Sequence, residues 1–253
     1  MKSSLSKLYS LSLGVVRLLS VLGPAVVAAP LFATPAFPTN TTLLFSRGLD
    51  GQPDQTVSVV TGDGHHEATL AAGGWPVLSP DGRFFLYHAD NATTARGNLY
   101  RFELSTGIAL QVIQQGDYLV GADWTPDGSH LVFDEGCSLN TSLTDGSQNH
   151  TFLNADCYDD APAVNPVTGL IVCHNINVGL IITDPDGGNR HVVPNTARSA
   201  VWPAWSPDGK SVTAVDHDQV LRIAPDGTGL TNLLALATPA LTVRRRQTIT
   251  FTS

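Results

Sequence analysis

Basic residues are scarce in this chain: 14 lysines and arginines stand against 22 acidic residues in 253 positions, a formal charge of −8. Nucleic acid requires a clustered basic surface to offset phosphate charge, so that partner class is excluded, and anionic polymers and anionic membranes meet the same objection. Cysteine is also scarce, at three residues. An odd number cannot close a full disulfide framework. No Gly-x-Ser-x-Gly pentapeptide occurs, and no long amphipathic helical stretch exists from which an α/β sheet with a serine nucleophile could be built. Beyond the first 29 residues no apolar run is long enough to cross a membrane.

Glycine and proline are plentiful, at 23 and 16 residues, and they recur in register. The stretches GWPVLSPDGRFFLYHAD from Gly74, GADWTPDGSHLVFDE from Gly121, APAVNPVTGLIVCHN from Ala161 and WPAWSPDGKSVTAVD from Trp202 are copies of one pattern. A degraded copy, TPALTVRRRQTITFTS, starts at Thr238. Taking Pro80, Pro126, Pro166, Pro207 and Val243 as anchors, the steps are 46, 40, 41 and 36 residues. Ser79, Thr125, Asn165 and Ser206 precede the proline, where a short side-chain oxygen can bond the backbone two residues on. Proline presets φ for the first corner of a type I turn, and Gly82, Gly128 and Gly209 close it. The product is a tight β-hairpin.

Two residues before the anchor stand Leu78, Trp124, Val164, Trp205 and Leu241, and five after it Phe85, Leu131, Ile171 and Val212. Seven after it come Tyr87, Phe133, Cys173 and Ala214. This period of two predicts that each hairpin arm buries one face. A second turn follows at Ser105-Thr106-Gly107, Asp145-Gly146, Asp186-Gly187 and Asp226-Gly227, in steps of 39, 41 and 40. Two hairpins make four strands per repeat, and a four-stranded repeat of roughly 40 to 45 residues is the signature of a β-propeller blade.

At this point the chain resembles a known family. The pattern Pro-x-Trp-Ser-Pro-Asp-Gly-Lys, an apolar strand, a variable loop and a second strand ending in Asp-Gly is similar to the blades of TolB-type propellers, over about residues 41 to 253. The resemblance implies an all-β propeller of four-stranded blades and carries no function by itself. Residues 42 to 70 supply three strands without a Trp-Ser-Pro-Asp-Gly strand before them, and the tail supplies that missing piece as TPALT. The expectation is that Pro239 to Thr242 adds the innermost strand to the first blade and closes a ring of five. The surplus strand QTITFTS leaves six blades open, a number TolB-type propellers commonly have.

The chain ends have their own chemistry. MKSSLSKLYS carries Lys2 and Lys7 and no acid, and LSLGVVRLLSVLGPAVVAA follows, ending in small residues. This predicts a signal peptide over residues 1 to 29, a leader over 30 to 40 and one propeller domain over 41 to 253. The expected location is outside the cell, or the periplasm in a bacterium. With Lys2, Lys7 and Arg17 removed, 11 basic residues face 22 acidic ones, a formal charge of −11. Acceptor sequons at Asn40, Asn91, Asn140 and Asn149 fit a secreted chain, and the last three are expected on loops or strand ends where a glycan is solvated. Cys137 and Cys157 fall in a loop and a linker that emerge on one face of the propeller, which permits a disulfide worth ~3 kcal/mol in the chain-entropy model. Two free thiols or a Cys157–Cys173 bond are the alternatives, and Cys173 reads as a small buried hydrophobe.

The candidate functional residues are few. His65 and His66 lie at a turn tip, His88 and His174 at second-strand ends, and His217 between two aspartates, with no spacing that forces convergence on a metal. Asp156, Asp159 and Asp160 in the linker ADCYDD are possible calcium ligands, since such linkers reach the rim of the channel. No other cofactor is indicated. Trp75 and Trp202 occupy equivalent places near the channel mouth, where aromatic rings beside an acidic rim can stack on a sugar or clasp a cationic peptide. These features point to a monomeric, non-catalytic module that binds protein or glycan. The alternative is a propeller-only enzyme of the metal-dependent lyase or lactonase type, with its site in the central channel.

Overall fold

The structure is a computed structural model that describes residues 42–48, 55–91, 96–116, 119, 121–136, 138–153, 159–217 and 219–235. Five antiparallel sheets follow one another along the chain as the blades of a β-propeller, with no helix among the described residues. The first blade contains β1 (Thr42–Arg47), β2 (Thr56–Thr61) and β3 (Glu67–Ala72). The second contains β4 (Gly74–Leu78), β5 (Phe84–Asn91), β6 (Arg96–Glu103) and β7 (Ile108–Gly116), and the third β8 (Ala122–Trp124), β9 (His130–Glu135), β10 (Ser138–Leu143) and β11 (His150–Leu153). The fourth contains β12 (Asp159–Val164), β13 (Ile171–Asn175), β14 (Gly179–Thr183) and β15 (His191–Val192), and the fifth β16 (Ala200–Trp205), β17 (Val212–Asp216), β18 (Gln219–Ile223) and β19 (Thr231–Ala235). In every blade the strands pair in chain order. The first strands of successive blades lie against one another, β1 on β4, β4 on β8, β8 on β12 and β12 on β16, and so form the inner wall.

The first blade has three strands among the described residues, as the repeat pattern predicts. The proposed closing strand at 239–242, the surplus strand QTITFTS, the predicted leader and the Cys137 and Cys157 positions lie outside the described residues.

The Pro-Asp-Gly turns form as expected at the glycines: Gly82, Gly128 and Gly209 sit at φ of 69°, 69° and 68°. The residue before the proline works differently from expectation in three of the four copies. The Ser79, Thr125 and Ser206 hydroxyls each donate to the turn aspartate at 2.6 Å and accept the amide of the residue five on, at 2.9 to 3.0 Å. Only Asn165 accepts from the amide two residues on, Val167, at 2.9 Å. The aspartate is thereby locked into its own turn. The Thr125 hydroxyl, followed by the hydroxyl and amide of Ser129, holds the Asp127 carboxyl down at about 2.

The one-face burial expected from period two is replaced by burial on both faces. Phe85, Leu86 and Tyr87 are all buried, as are Leu131, Val132 and Phe133, and every residue of β13 and β14 is buried. The second, third and fourth blades are each sandwiched between two neighbours, so their second strands have no solvent side. Four apolar cores result, one per junction between successive blades, with Phe85, Trp124, Ile171 and Trp205 among their central residues. The two tryptophans that stand two residues before their anchors also bind backbone. Trp124 Nε1 donates to the Val77 carbonyl and Trp205 Nε1 to the Ala163 carbonyl, both at 3.1 Å. Each bond ties one inner strand to the inner strand of the preceding blade.

Candidate binding face

Proline organises the end of each inner strand opposite the Pro-Asp-Gly turn. Pro76, Pro162 and Pro203 lack the amide that the ladder requires, and the pairing shifts register across each of them, between Gly74 and Val77, Asp160 and Ala163, and Val201 and Ala204. The residue before each proline, five before the anchor, is thrown into left-handed backbone: Trp75 at φ 55°, Ala161 at 49° and Trp202 at 55°. The third blade has Gly121 in this place and no such shift. Holding a tryptophan at positive φ costs on the order of 1–3 kcal/mol, which the surrounding contacts must offset.

In the second, third and fourth blades the residue eight beyond the anchor, at the end of the second strand, reaches toward the following blade. Asp134 accepts the Gly121 amide at 2.7 Å and the Ala161 amide at 3.2 Å. Ser46 in the first blade accepts the Trp75 amide at 2.7 Å in the same manner. His174 bonds through Nδ1 to Asp160 at 2.8 Å and through Nε2 to the Arg198 carbonyl at 3.1 Å. His88 faces the Leu119 carbonyl. The equivalence of His88, Asp134 and His174 is a feature missed when the histidines are compared only with one another. Their common distance from the anchor proline is the signal that reveals it.

The two tryptophans expected at the channel mouth come together. Trp75 of the second blade and Trp202 of the fifth are half-buried, with ring centroids 5.6 Å apart and planes inclined at 55°. Trp75 also meets the His88 ring edge-on at 5.1 Å. Next to Trp75 in the chain, Gly74 is covered by Gln55, which is 8% exposed. Its carbonyl accepts the Gly73 amide at 2.8 Å, and its side-chain amide rests on Gly74, where any Cβ would overlap it. Burial depresses the His88 imidazole to about 4, so the ring is neutral near pH 7. Asp123 stands on the inner strand of the third blade and accepts the Trp124 and Val164 amides at 2.8 and 2.7 Å. Burial nonetheless raises its carboxyl to about 6.

The remaining sequence candidates have separate placements. Asp156 lies outside the described residues, as does the side chain of Asp159, and the Asp160 carboxylate is engaged by His174. Among the described residues no group of three or more His, Cys, Asp or Glu side chains is placed to hold a metal ion. Asn91 ends β5, and Asn149 is exposed immediately before β11. Asn140 is different. It lies inside β10, 4% exposed, with Oδ1 accepting from Thr151 at 2.7 Å and Nδ2 donating to the Ser138 carbonyl at 3.1 Å. That placement corrects the expectation of a solvated strand end, because a glycan on Nδ2 has no room in the folded blade. Cys173 is fully buried in β13, as expected. At the opposite end of the blades a cleft of about 330 Å³ is lined by Asp81, Arg101, Asp127 and Thr144. Both aspartates there are committed to their turns.

No protein-family model matches the chain, and no curated protein matches it. Solved structures do. TolB from Acinetobacter baumannii superposes with a TM-score of 0.67 at 16% identity, covering 78% of this chain and 53% of that one. This chain therefore spans about half the length of the TolB it matches. A chain of a nidogen/laminin complex superposes at 0.62 with 12% identity, covering 76% and 78%. An oligogalacturonate lyase in complex with manganese gives 0.55 with 18% identity, covering 79% and 63%. At these identities the likeness is one of fold, and the fold is that of a TolB-like β-propeller.

Proposed function

We propose that the protein is a secreted, non-catalytic propeller that binds a protein or glycan at the face bearing Trp75 and Trp202. One observation carries this reading. Two half-buried tryptophans from blades that are not consecutive in the chain are brought within ring contact, each on left-handed backbone. The shift at the following proline imposes the same backbone on Ala161 in the fourth blade, so the fold does not itself require a tryptophan at this place. A preformed aromatic pair is a suitable recognition surface, because rigid rings bury large area with little loss of conformational freedom. The apolar, weakly basic N-terminal stretch and the exposed sequon at Asn149 support a secretory route. The likeness to a propeller in a nidogen/laminin complex is consistent with the fold serving in protein association.

The test is retention of partners by immobilised protein, using printed glycans and a fraction of secreted proteins, with a Trp75→Ala/Trp202→Ala variant as control. Binding by the wild type that falls at least about tenfold in a variant of unchanged circular dichroism is the expected result. Equal retention by both proteins, or no retention by either, would contradict the assignment.

A further inference from the structure

Among the described residues, three buried side-chain nitrogens have no hydrogen-bond partner: Gln55 Nε2, Trp75 Nε1 and His88 Nδ1. They are not scattered. Gln55 packs on Gly74, Gly74 pairs with His88 across β4 and β5, and Trp75 is the next residue in the chain, with its ring against that of His88. Gln55 and His88 are 8% and 7% exposed, so bulk water does not solvate them freely. An unmade hydrogen bond on a buried polar group costs about 1–3 kcal/mol. Three around one dipeptide indicate a ligand group rather than a packing accident.

The donor and acceptor pattern defines that group. The Gln55 amide nitrogen and the Trp75 indole nitrogen donate. The other nitrogen of His88 faces the Leu119 carbonyl, which fixes its proton there and leaves Nδ1 as an acceptor in the neutral ring. Two donors and one acceptor are the complement of a hydroxyl, which accepts on two lone pairs and donates one proton. A carboxylate would leave His88 Nδ1 unmet and find no cation among the three. The Trp75 ring, which meets His88, also meets that of Trp202, so apolar aromatic surface adjoins these groups.

We infer that this is a subsite for an uncharged sugar residue, which lays its C–H face on the tryptophan pair and directs a hydroxyl to Gln55, Trp75 and His88. The assignment rests on the reading of this face as a binding face and narrows it to neutral glycans. Uronate polymers are disfavoured further by the net charge of −8.

The experiment titrates the full mature chain, by tryptophan fluorescence and calorimetry, with neutral oligosaccharides of glucose, galactose, mannose and N-acetylglucosamine, and with oligogalacturonate. Gln55→Leu and Trp75→Phe each delete one donor and keep much of the shape. Because neither strands a partner, both should melt no lower than wild type. At least one neutral series is expected to bind, with each variant about tenfold weaker, the equivalent of one hydrogen bond. Should Gln55→Leu fail to fold, Trp75→Phe still decides. The inference is overturned if oligogalacturonate binds and no neutral series does. It is overturned equally if the variants change only the melting temperature, since the nitrogens then hold water alone. Capture of a protein partner through Trp75 and Trp202 without neutral-glycan binding also overturns it, and leaves the binding-module reading standing. Absence of any binding dependent on Trp75 or Trp202 removes both.

Discussion

Trp75 and Trp202 sit at the same place in two repeats, five residues before the anchor proline, and their rings meet at 5.6 Å. The contact joins the second blade to the fifth across the position of the first. It forms because Pro76 and Pro203 break the inner ladder at the same step in both blades, which turns the preceding side chain out of the sheet plane. A repeat normally makes its copies contact their neighbours. Here one copy position makes a pair at long range, and that pair is the centre of the candidate site.

The indole bonds between blades should carry measurable stability. Trp205 is 2% exposed, and its Nε1 is the partner of the buried Ala163 carbonyl. Trp205→Phe leaves that carbonyl unpaired and opens a small cavity, with an expected cost of about 2–4 kcal/mol in denaturant unfolding. Trp124→Phe should behave alike through Val77. A loss below about 0.5 kcal/mol in both variants would mean that the indole nitrogens contribute nothing to holding the inner wall.

Acid stability follows from two desolvated groups that oppose each other, the buried His88 and the half-buried Asp123. Burial lowers His88 from 6.5 to about 4, so the unfolded chain takes up its proton first, and this contribution to stability is lost as pH falls from 6.5 to 4. Burial raises Asp123 from 3.8 to about 6, so the folded chain takes up its proton first, and stability is gained as pH falls from 6 to 4. Each shift is worth on the order of 3 kcal/mol, and the two should largely cancel. The expected melting profile of the wild type is nearly flat across this window. Asp123→Asn should lose stability toward pH 4, and His88→Gln should gain it. Parallel profiles for all three proteins would show that neither group titrates as its burial requires.

Much of this architecture was legible in the chain, for a definable reason. Turn chemistry is local, so Pro80, Pro126, Pro166 and Pro207, with the glycines that follow them, mark hairpins whatever surrounds them. The four complete blades, their strand order and the equivalent places of Trp75 and Trp202 follow from that spacing, whereas the contact between the two rings does not. Two-sided burial does not, because Leu86 and Val132 become interior only when a neighbouring blade covers their face. Gln55 is invisible in the repeat pattern altogether, since it lies before β2 in the blade that lacks the motif strand, and only its contact with Gly74 brings it to the site.

The first blade gives a further expectation. Its sheet has three strands among the described residues, and Pro239 and Leu241 match Pro203 and Trp205 in the repeat. If residues 239–242 complete that blade, burying Leu241 contributes about 1.5–3 kcal/mol and covers a sheet edge. Deleting 238–253 should lower the melting temperature and produce oligomers by edge pairing, whereas deleting 247–253 should do little. An unchanged melt after the longer deletion would remove this closure, and equal damage from both would favour a half-built sixth blade.

The central claim concerns which tryptophans meet the ligand, and the four indole N–H resonances report on it directly. Trp124 and Trp205 are buried and bonded to backbone carbonyls, whereas Trp75 and Trp202 are half-buried at the face. On titration with whichever glycan or protein the wild type retains, the Trp75 and Trp202 resonances should move in proportion to occupancy while those of Trp124 and Trp205 stay in place. Movement of Trp124 and Trp205 with Trp75 and Trp202 unchanged would contradict the account, because binding would then occur elsewhere on the propeller.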